Sequence, residues 1–388
     1  MIHCFFSVMP MFVVLFWLVL FLLDRPSDIA KRFLLFFLGV ALVNYTAHWI
    51  YFNHNYTAYR LIDSFWVFTS LAVYPIYYYY IRLLTVDSKT DWRWCWILAP
   101  ALLLSLFSGV CYLLMSPAEL DTLTHELLFY NRPPRSEHTL LVRLQAVRIF
   151  LFKVIFATEV LLTLYFGLRL VKEFNKKVKA FYSNVENREL STIRQMLFFM
   201  VLTALISFIS NLLGKNLFSG STALLAIPSI THSIALFGVS YVGYRQQFTV
   251  RNLKEDQLQG ESCEPPFESE TMTGIEYDLL YSKLEILFEV DQIFKNPELR
   301  LTDVALELGT NRTYLSKLIH ARRDMNFSDF VNEYRVRYAE GILTLPEYAH
   351  LTIDEVGLHS GFSGNSTFYR AFEKNYGMPP GKYRKQQV

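Results

Sequence analysis

From about residue 5 to residue 244 the chain is dominated by long apolar runs separated by short polar stretches, and beyond that the runs disappear. Seven segments stand out, roughly 5–23, 33–52, 62–84, 94–115, 149–168, 195–213 and 222–244. Each reaches the length at which about 20 mostly apolar residues cross a hydrocarbon core of about 30 Å. The pattern therefore predicts a seven-helix transmembrane bundle over residues 1–244. The first run, MFVVLFWLVLFLL, has neither a basic start nor a small-residue cleavage site, so it reads as a retained helix and not a removable leader. Tyrosine and tryptophan gather near segment ends, at Tyr77 to Tyr80 and at Trp92, Trp94 and Trp96, as amphipathic rings do at headgroup depth.

Residues 245–274 lose the apolar runs and gain acid, two prolines (Pro265, Pro266) and two glycines. Such a composition buries too little apolar surface to fold alone and predicts a flexible acidic linker. At Ile275 a helical period begins, with Leu279, Leu280, Leu284, Leu287 and Phe288 on one broad face. It opens a compact helical domain over residues 275–388.

Within that domain one pattern is written twice. In LTDVALELGTNRTYLSKLI, from Leu301, Val304 and Leu308 lie one helical turn apart and Ala305 is small where a second helix must cross. Gly309 permits the positive φ that reverses the chain, and Leu315 and Leu318 anchor the next helix. That is helix-turn-helix spacing, near 301–320. About 52 residues on, near 353–373, IDEVGLHSGFSGNSTFYRAF repeats it. Val356 stands for Val304, Gly357 for Ala305 and Gly361 for Gly309. After one inserted turn residue, Phe368 stands for Leu315, Arg370 for Lys317 and Phe372 for Ile319. Thr352 and Glu355 form a capping box at the start of the second unit. Between the units FSDFVNEYRVRYAEGILT reads as one amphipathic helix, long enough to hold two reading helices on successive major-groove faces.

The second unit, GFSGNSTFYRAFEKNYGMPPGKYR, closely resembles the signature of AraC/XylS-type transcription regulators, with Gly361, Phe362, Phe368, Arg370, Phe372, Gly377, Pro380, Tyr383 and Arg384 at matching positions. The resemblance covers roughly 278–386 and implies a bipartite, double helix-turn-helix DNA-binding domain. It assigns base or phosphate contacts to Thr313, Ser316 and Lys317 in the first reading helix and to Asn365, Ser366, Tyr369 and Arg370 in the second. Arg312 adds a candidate phosphate contact. Many relatives carry a soluble cupin-like domain where this chain has apolar helices.

The side chains suit that task on their own chemistry: Arg and Lys donate to guanine, Asn to adenine, Ser and Thr to bases or phosphates. Charge is distributed accordingly. Lys and Arg exceed Asp and Glu by 3 over residues 311–388 and fall short by 8 over 245–310. A composition 52% hydrophobic and 16% aromatic belongs to the first part of the chain, which carries an excess of 7 cations. Thirteen Lys and Arg occupy alternate loops there, against six in the others, Arg143 and Arg148 among the six. Because cytoplasmic loops retain cations, an odd helix count puts the N-terminus outside and the DNA-binding domain in the cytoplasm, at a bacterial inner membrane.

Polar residues at membrane depth mark candidate functional positions. Asn44 and His48 share a face of the second segment and Glu159 lies in the middle of the fifth, a possible ligand or switch site. Asn44, Asn211 and His232 also suit interhelical hydrogen bonds that hold the bundle together. Asp63 and Lys153, near helix ends, are expected to reach the interface. The four cysteines lack CxxC spacing, so neither a metal site nor a disulfide framework is expected. No P-loop, HExxH, GxSxG or kinase ATP signature is present, so no catalytic residue and no cofactor is assigned.

The all-α sequence thus predicts a membrane-embedded one-component transcription regulator. Its expected partners are promoter DNA, the lipid bilayer, RNA polymerase, a second copy of the chain on DNA and a small-molecule or protein signal. Two other readings stand beside it: a transporter or membrane enzyme with a C-terminal regulatory module, and a regulator that is passively anchored.

Overall fold

The computed structural model of the chain describes residues 2–53, 55–186, 188–213, 217–218, 220–261 and 274–387. Among them the only pairing of extended backbone is one antiparallel bridge, Tyr182 to Arg300; everything else regular is helical. The chain divides into two compact units, Met1–Lys172 with Ser191–Val250, and Glu173–Leu190 with Arg251–Val388.

The first unit is built from α1 (Ile2–Asp24), α2 (Ile29–Phe52), α3 (Tyr56–Thr85), α4 (Ala99–Leu114, entered by a 3-10 segment Trp92–Leu98), the short α5 (Pro117–Thr122), α6 (Leu140–Phe181), α7 (Ser191–Leu213) and α8 (Thr222–Arg245). All seven expected segments lie in helices. Among the described residues six helices are long and apolar enough to cross a membrane, and α3 is not one of them. Six of the seven expected segments thus meet that measure, and the third falls short of it. The reason is the position of α3: it packs on both α2 and α4, and its inward residues include Asp63, Trp66, Tyr74, Tyr77, Tyr79 and Tyr80. A helix screened by its neighbours need not be apolar all round. The outer helices show the reverse pattern, burying Val14, Trp17 and Phe21 of α1 while exposing Phe12, Phe16 and Leu22.

Asp63 and Arg148 depart from expectation together. Asp63 is 0% and Arg148 1% exposed, and they pair at 2.7 Å. Arg148 Nε also donates to Gln145 Oε1 (2.8 Å), and Tyr112 OH donates to Asp63 Oδ2 (3.0 Å). Asp63 therefore does not reach an interface, and Arg148 is not a loop cation. Helix α6 begins at Leu140, placing Arg148 within it, and its 42 residues run about 63 Å, well beyond a hydrocarbon core. Its last residues, from Glu173 to Phe181, belong to the second unit.

That second unit contains α9 (Val250–Glu261), α10 (Gly274–Glu289), α11 (Leu301–Glu307), α12 (Arg312–Arg323), α13 (Phe327–Thr344), α14 (Ile353–His359), α15 (Asn365–Tyr376) and α16 (Pro380–Gln387). Part of the stretch expected to be a flexible linker is thus helical. Leu253 of α9 is buried, and Asp256 accepts from Tyr182 OH and pairs with Arg300 at 3.3 Å, which gives that turn tertiary partners its composition does not advertise. Residues 262–273 lie outside the described residues.

Two apolar cores share α13. Phe330, Val331 and Tyr334 enter one with Leu284, Phe288, Val304 and Leu315. Val336, Ala339, Ile342 and Leu343 enter the other with Val356, Phe362, Phe368 and Phe372. A single continuous helix therefore fixes the separation of the two helix-turn-helix units.

Candidate functional site

Each reading helix is set by the same local devices. α11 and α12 are joined by a turn in which Gly309 adopts φ +65°, and Asn311 caps α12 by accepting from Tyr314 N at 2.9 Å. α14 and α15 are joined through Gly361 at φ +90°. There a Cβ would stand 2.6 Å from the Phe294 carbonyl oxygen, so glycine is required twice over, by conformation and by space. Gly357 lies where a Cβ would meet the Phe368 ring at 2.8 Å, so α14 and α15 cross closely there. The Thr352–Glu355 capping box forms: Glu355 N donates to Thr352 Oγ1 at 3.2 Å and Thr352 N to Glu355 Oε2 at 2.7 Å.

The buried anchors are Leu315, Leu318 and Ile319 of α12 and Phe368 and Phe372 of α15. Their opposite faces hold the candidate DNA contacts. Thr313 and Lys317 are exposed, and Arg312 and Ser316 half-buried, on α12; Asn365, Ser366, Tyr369 and Arg370 are exposed on α15. Each set shares one helix within one unit of the fold. Arg370 Nε bends back to the Ser366 carbonyl oxygen at 3.1 Å, while Lys317 Nζ rests 5.9 Å from the Tyr314 ring centre. Burial and the nearby Asp354 carboxylate raise the Tyr369 phenol above its ordinary value, so it stays a neutral donor. Other cations are committed elsewhere: Arg322 pairs with Asp278, Arg323 with Glu333 and Lys374 with Asp329. Arg384 donates to the Leu351 carbonyl at 2.6 Å, so the C-terminal clasp closes the second core.

Residues that the pattern does not single out hold the reading helices in place. Arg335, 1% exposed at the centre of α13, donates to the carbonyls of Phe294 (2.8 Å) and Asn296 (2.7 Å) and to Ser183 Oγ (3.1 Å). Ser183 is held again by Leu299 O, to which its amide donates at 3.1 Å, and its own carbonyl accepts from Ser328 Oγ at 3.1 Å. The same loop brings Glu186 against the start of α15: Ser366 Oγ donates to Glu186 Oε1 at 3.3 Å and Thr367 Oγ1 to Oε2 at 3.4 Å. An arginine on a predicted surface-type helix carries no sign in sequence that it will turn inward.

In the first unit a cavity of about 130 Å³ gathers two of the three candidate switch residues, Asn44 and His48. Asn44 Nδ2 donates to Ser70 Oγ at 2.6 Å and Trp66 Nε1 to His48 Nε2 at 3.2 Å, both between α2 and α3. His232 of α8 reaches Ser207 of α7 at 2.9 Å on the same cavity wall. Asn44 and His232 thus make interhelical bonds and line a cavity at once. Glu159 is not brought to it; its carboxylate oxygens are enclosed with no hydrogen-bond partner among the described residues. The side chain of Asn211 lies outside the described residues.

Comparison with known proteins addresses the second unit. Residues 304–386 match a family model described as a helix-turn-helix domain. The Msm operon regulatory protein of Streptococcus mutans is 30% identical over 88 residues, which are 23% of this chain and 31% of that protein. The uncharacterized HTH-type transcriptional regulator YpdC of Escherichia coli is 37% identical over 80 residues, 21% of this chain and 27% of that one. Regulatory protein PocR of Salmonella typhimurium is 32% identical over 89 residues, 23% and 28% of the two chains. The matched segment spans less than a third of the length of each of these relatives. Residues 304–386 are accordingly a helix-turn-helix domain of the AraC type, and the chain's homologues are transcriptional regulators of that family.

Proposed function

We propose that this protein is a membrane-embedded transcription regulator that binds promoter DNA sequence-specifically through both helix-turn-helix units, with the helical bundle as its sensing part. The observation that carries the reading is the pair of reading helices, α12 and α15, each anchored by buried residues and fixed at one separation by α13. Lys317 and Arg370 reach guanine or phosphate, Asn365 adenine, and Arg312, Thr313, Ser316, Ser366 and Tyr369 complete the contacts. The regulatory names of the relatives point the same way.

For the bundle, the support is the apolar outer surface of helices long enough to cross a membrane. With α3 crossing inside the bundle there are seven spans. Removing Arg148 from the loop count leaves thirteen cations against five, which favours an external N-terminus and a cytoplasmic DNA-binding unit. Two such units on one membrane site raise each other's effective concentration, so we expect a homodimer on DNA, within reach of RNA polymerase.

The test is capture of chromosomal DNA bound to the intact protein in its native cell, compared with the Lys317→Ala, Arg370→Ala double variant. Loss of site-specific enrichment in the variant is the expected result, and full retention removes the assigned contacts. Alkaline phosphatase fused after Val388 should be inactive; activity there would reverse the topology.

A further inference from the structure

The cavity in the first unit carries an inference that rests on the sensing role proposed for the bundle and narrows what is sensed. We infer that it binds an uncharged, planar molecule about the size of one aromatic ring, bearing a hydroxyl or N–H group. Its volume of about 130 Å³ approaches the roughly 150 Å³ at which an apolar cavity in another protein admits benzene. The walls include a run of rings, with Trp66 stacked on Phe152 at 5.1 Å and Phe152 on Phe156 at 6.0 Å, which favours a flat occupant. Among the described residues lining it there is no Asp, Glu, Lys or Arg. A charged ligand would lose its hydration without a counterion, a cost that excludes it.

Polarity is nevertheless present. Ser70 accepts from Asn44, which leaves its own hydroxyl proton for another acceptor, and Ser207 with His232 supplies a second polar edge. Lining residues come from α1, α2, α3, α6, α7 and α8, so an occupant touches six helices at once. Binding that favours one packing of those helices shifts their equilibrium, which is what sensing requires.

The experiment uses full-length protein in lipid nanodiscs and 4-fluorophenol as probe, followed by ¹⁹F NMR. A saturable bound signal is expected above that of empty nanodiscs. It should be absent with 4-fluorobenzoate and absent in Ala41→Phe, which fills the cavity wall. Thr203→Leu, a gentler change on the same wall, guards against misfolding of the first variant and should weaken binding at least threefold. No saturable signal with folded wild-type protein, equal binding of the benzoate, or unchanged binding in both variants overturns the proposal and leaves a water-filled cavity. Occupancy is read without DNA, so a failure of the regulator reading would be seen separately, in the chromosomal capture.

A different observation carries a second inference. We propose that Glu186 shields the second reading helix from DNA. Its carboxylate accepts from Ser366 and Thr367 and fills the space beside Gly364, so it occupies the turn where a phosphate or base edge would meet α15. The loop that bears it is fixed to the same unit by Ser183 and by the ion pair of Arg188 with Glu298 (2.5 Å). DNA and this carboxylate then compete for one surface, and the proposal rests on the DNA-binding reading.

In full-length protein with its native cysteines replaced by serine, Glu186→Cys and Ser366→Cys should form a disulfide without DNA when oxidised by copper phenanthroline. A 40-base-pair random duplex at low salt should suppress it, and Glu186→Ala should bind that duplex at least threefold more tightly. No disulfide, or a disulfide indifferent to a duplex that does bind, overturns the shield. Absence of duplex binding by wild type and Glu186→Ala alike overturns the DNA-binding reading and the shield with it.

Discussion

Arg335 and Ser183 meet at 3.1 Å, joining the centre of the helix shared by both DNA-binding cores to the loop that follows α6. The guanidinium also donates to the buried Phe294 carbonyl and the half-buried Asn296 carbonyl, so it works as a three-point tie and not as a surface charge.

Removing that tie leaves the buried Phe294 carbonyl without its Arg335 donor and the Asn296 carbonyl with only the Leu299 amide at 3.3 Å. Arg335→Ala should destabilise the C-terminal unit by about 3 kcal/mol, whereas Ser183→Ala, which deletes one neutral partner, should cost about 1 kcal/mol. Hydrogen exchange of α13 in the full-length protein reads the difference. Equal protection in both variants would show that the tie does not hold the unit together.

Most of the C-terminal architecture is legible in the sequence because its signals are local. Gly309, Gly361 and the Thr352–Glu355 box dictate backbone geometry within a few residues, and Val356, Phe368 and Phe372 declare their core by helical spacing. Arg335, Asp63 and Arg148 escape such a reading because a charged residue's burial depends on partners 39 to 152 residues away, which no local period encodes. Helix α3 shows the same limit. Its tyrosines lower its apolar character, and most of them lie buried against neighbouring helices.

Glycine conformation and glycine space are separable here. Gly309 and Gly377 have positive φ and nothing within 4 Å of where a Cβ would stand, while Gly361 has both positive φ and a backbone neighbour at 2.6 Å. Asparagine tolerates the left-handed region, so Gly309→Asn and Gly377→Asn should each cost under about 1 kcal/mol. Gly361→Asn should cost about 3 kcal/mol or more, because Phe294 and Lys295 must move. Thermal unfolding of the three variants should rank Gly361→Asn far below the others.

The Asp63–Arg148 pair makes an opposed prediction for single and double changes. Arg148→Met alone strands a buried carboxylate and should destabilise the bundle by about 3 to 5 kcal/mol. Asp63→Leu combined with Arg148→Met removes both charges, and should recover most of that loss, since apolar replacement of a whole buried pair is often neutral or better. Thermal aggregation in detergent would test it. A double variant as unstable as the single one would mean that the Tyr112 hydroxyl, left without Asp63, and the Gln145 side-chain carbonyl, left without Arg148, dominate.

Acid should loosen the second helix-turn-helix through one carboxylate. Hydrogen bonds from the Thr352 backbone and hydroxyl hold Glu355 below the ordinary carboxyl value of 4.5. A group whose pKa is depressed by folding adds stability that is fully present above its unfolded value and is lost as pH falls through the folded one. Protection of α14 should therefore be flat from neutral pH down to about 5 and decline below it. Glu355→Gln removes the titrating carboxyl and should flatten that decline, while also lowering protection at neutral pH through loss of the charged half of the capping box. Hydrogen exchange of α14 in wild type and variant between about pH 3 and pH 7 measures both effects; parallel declines in the two proteins would assign the acid response to another carboxylate.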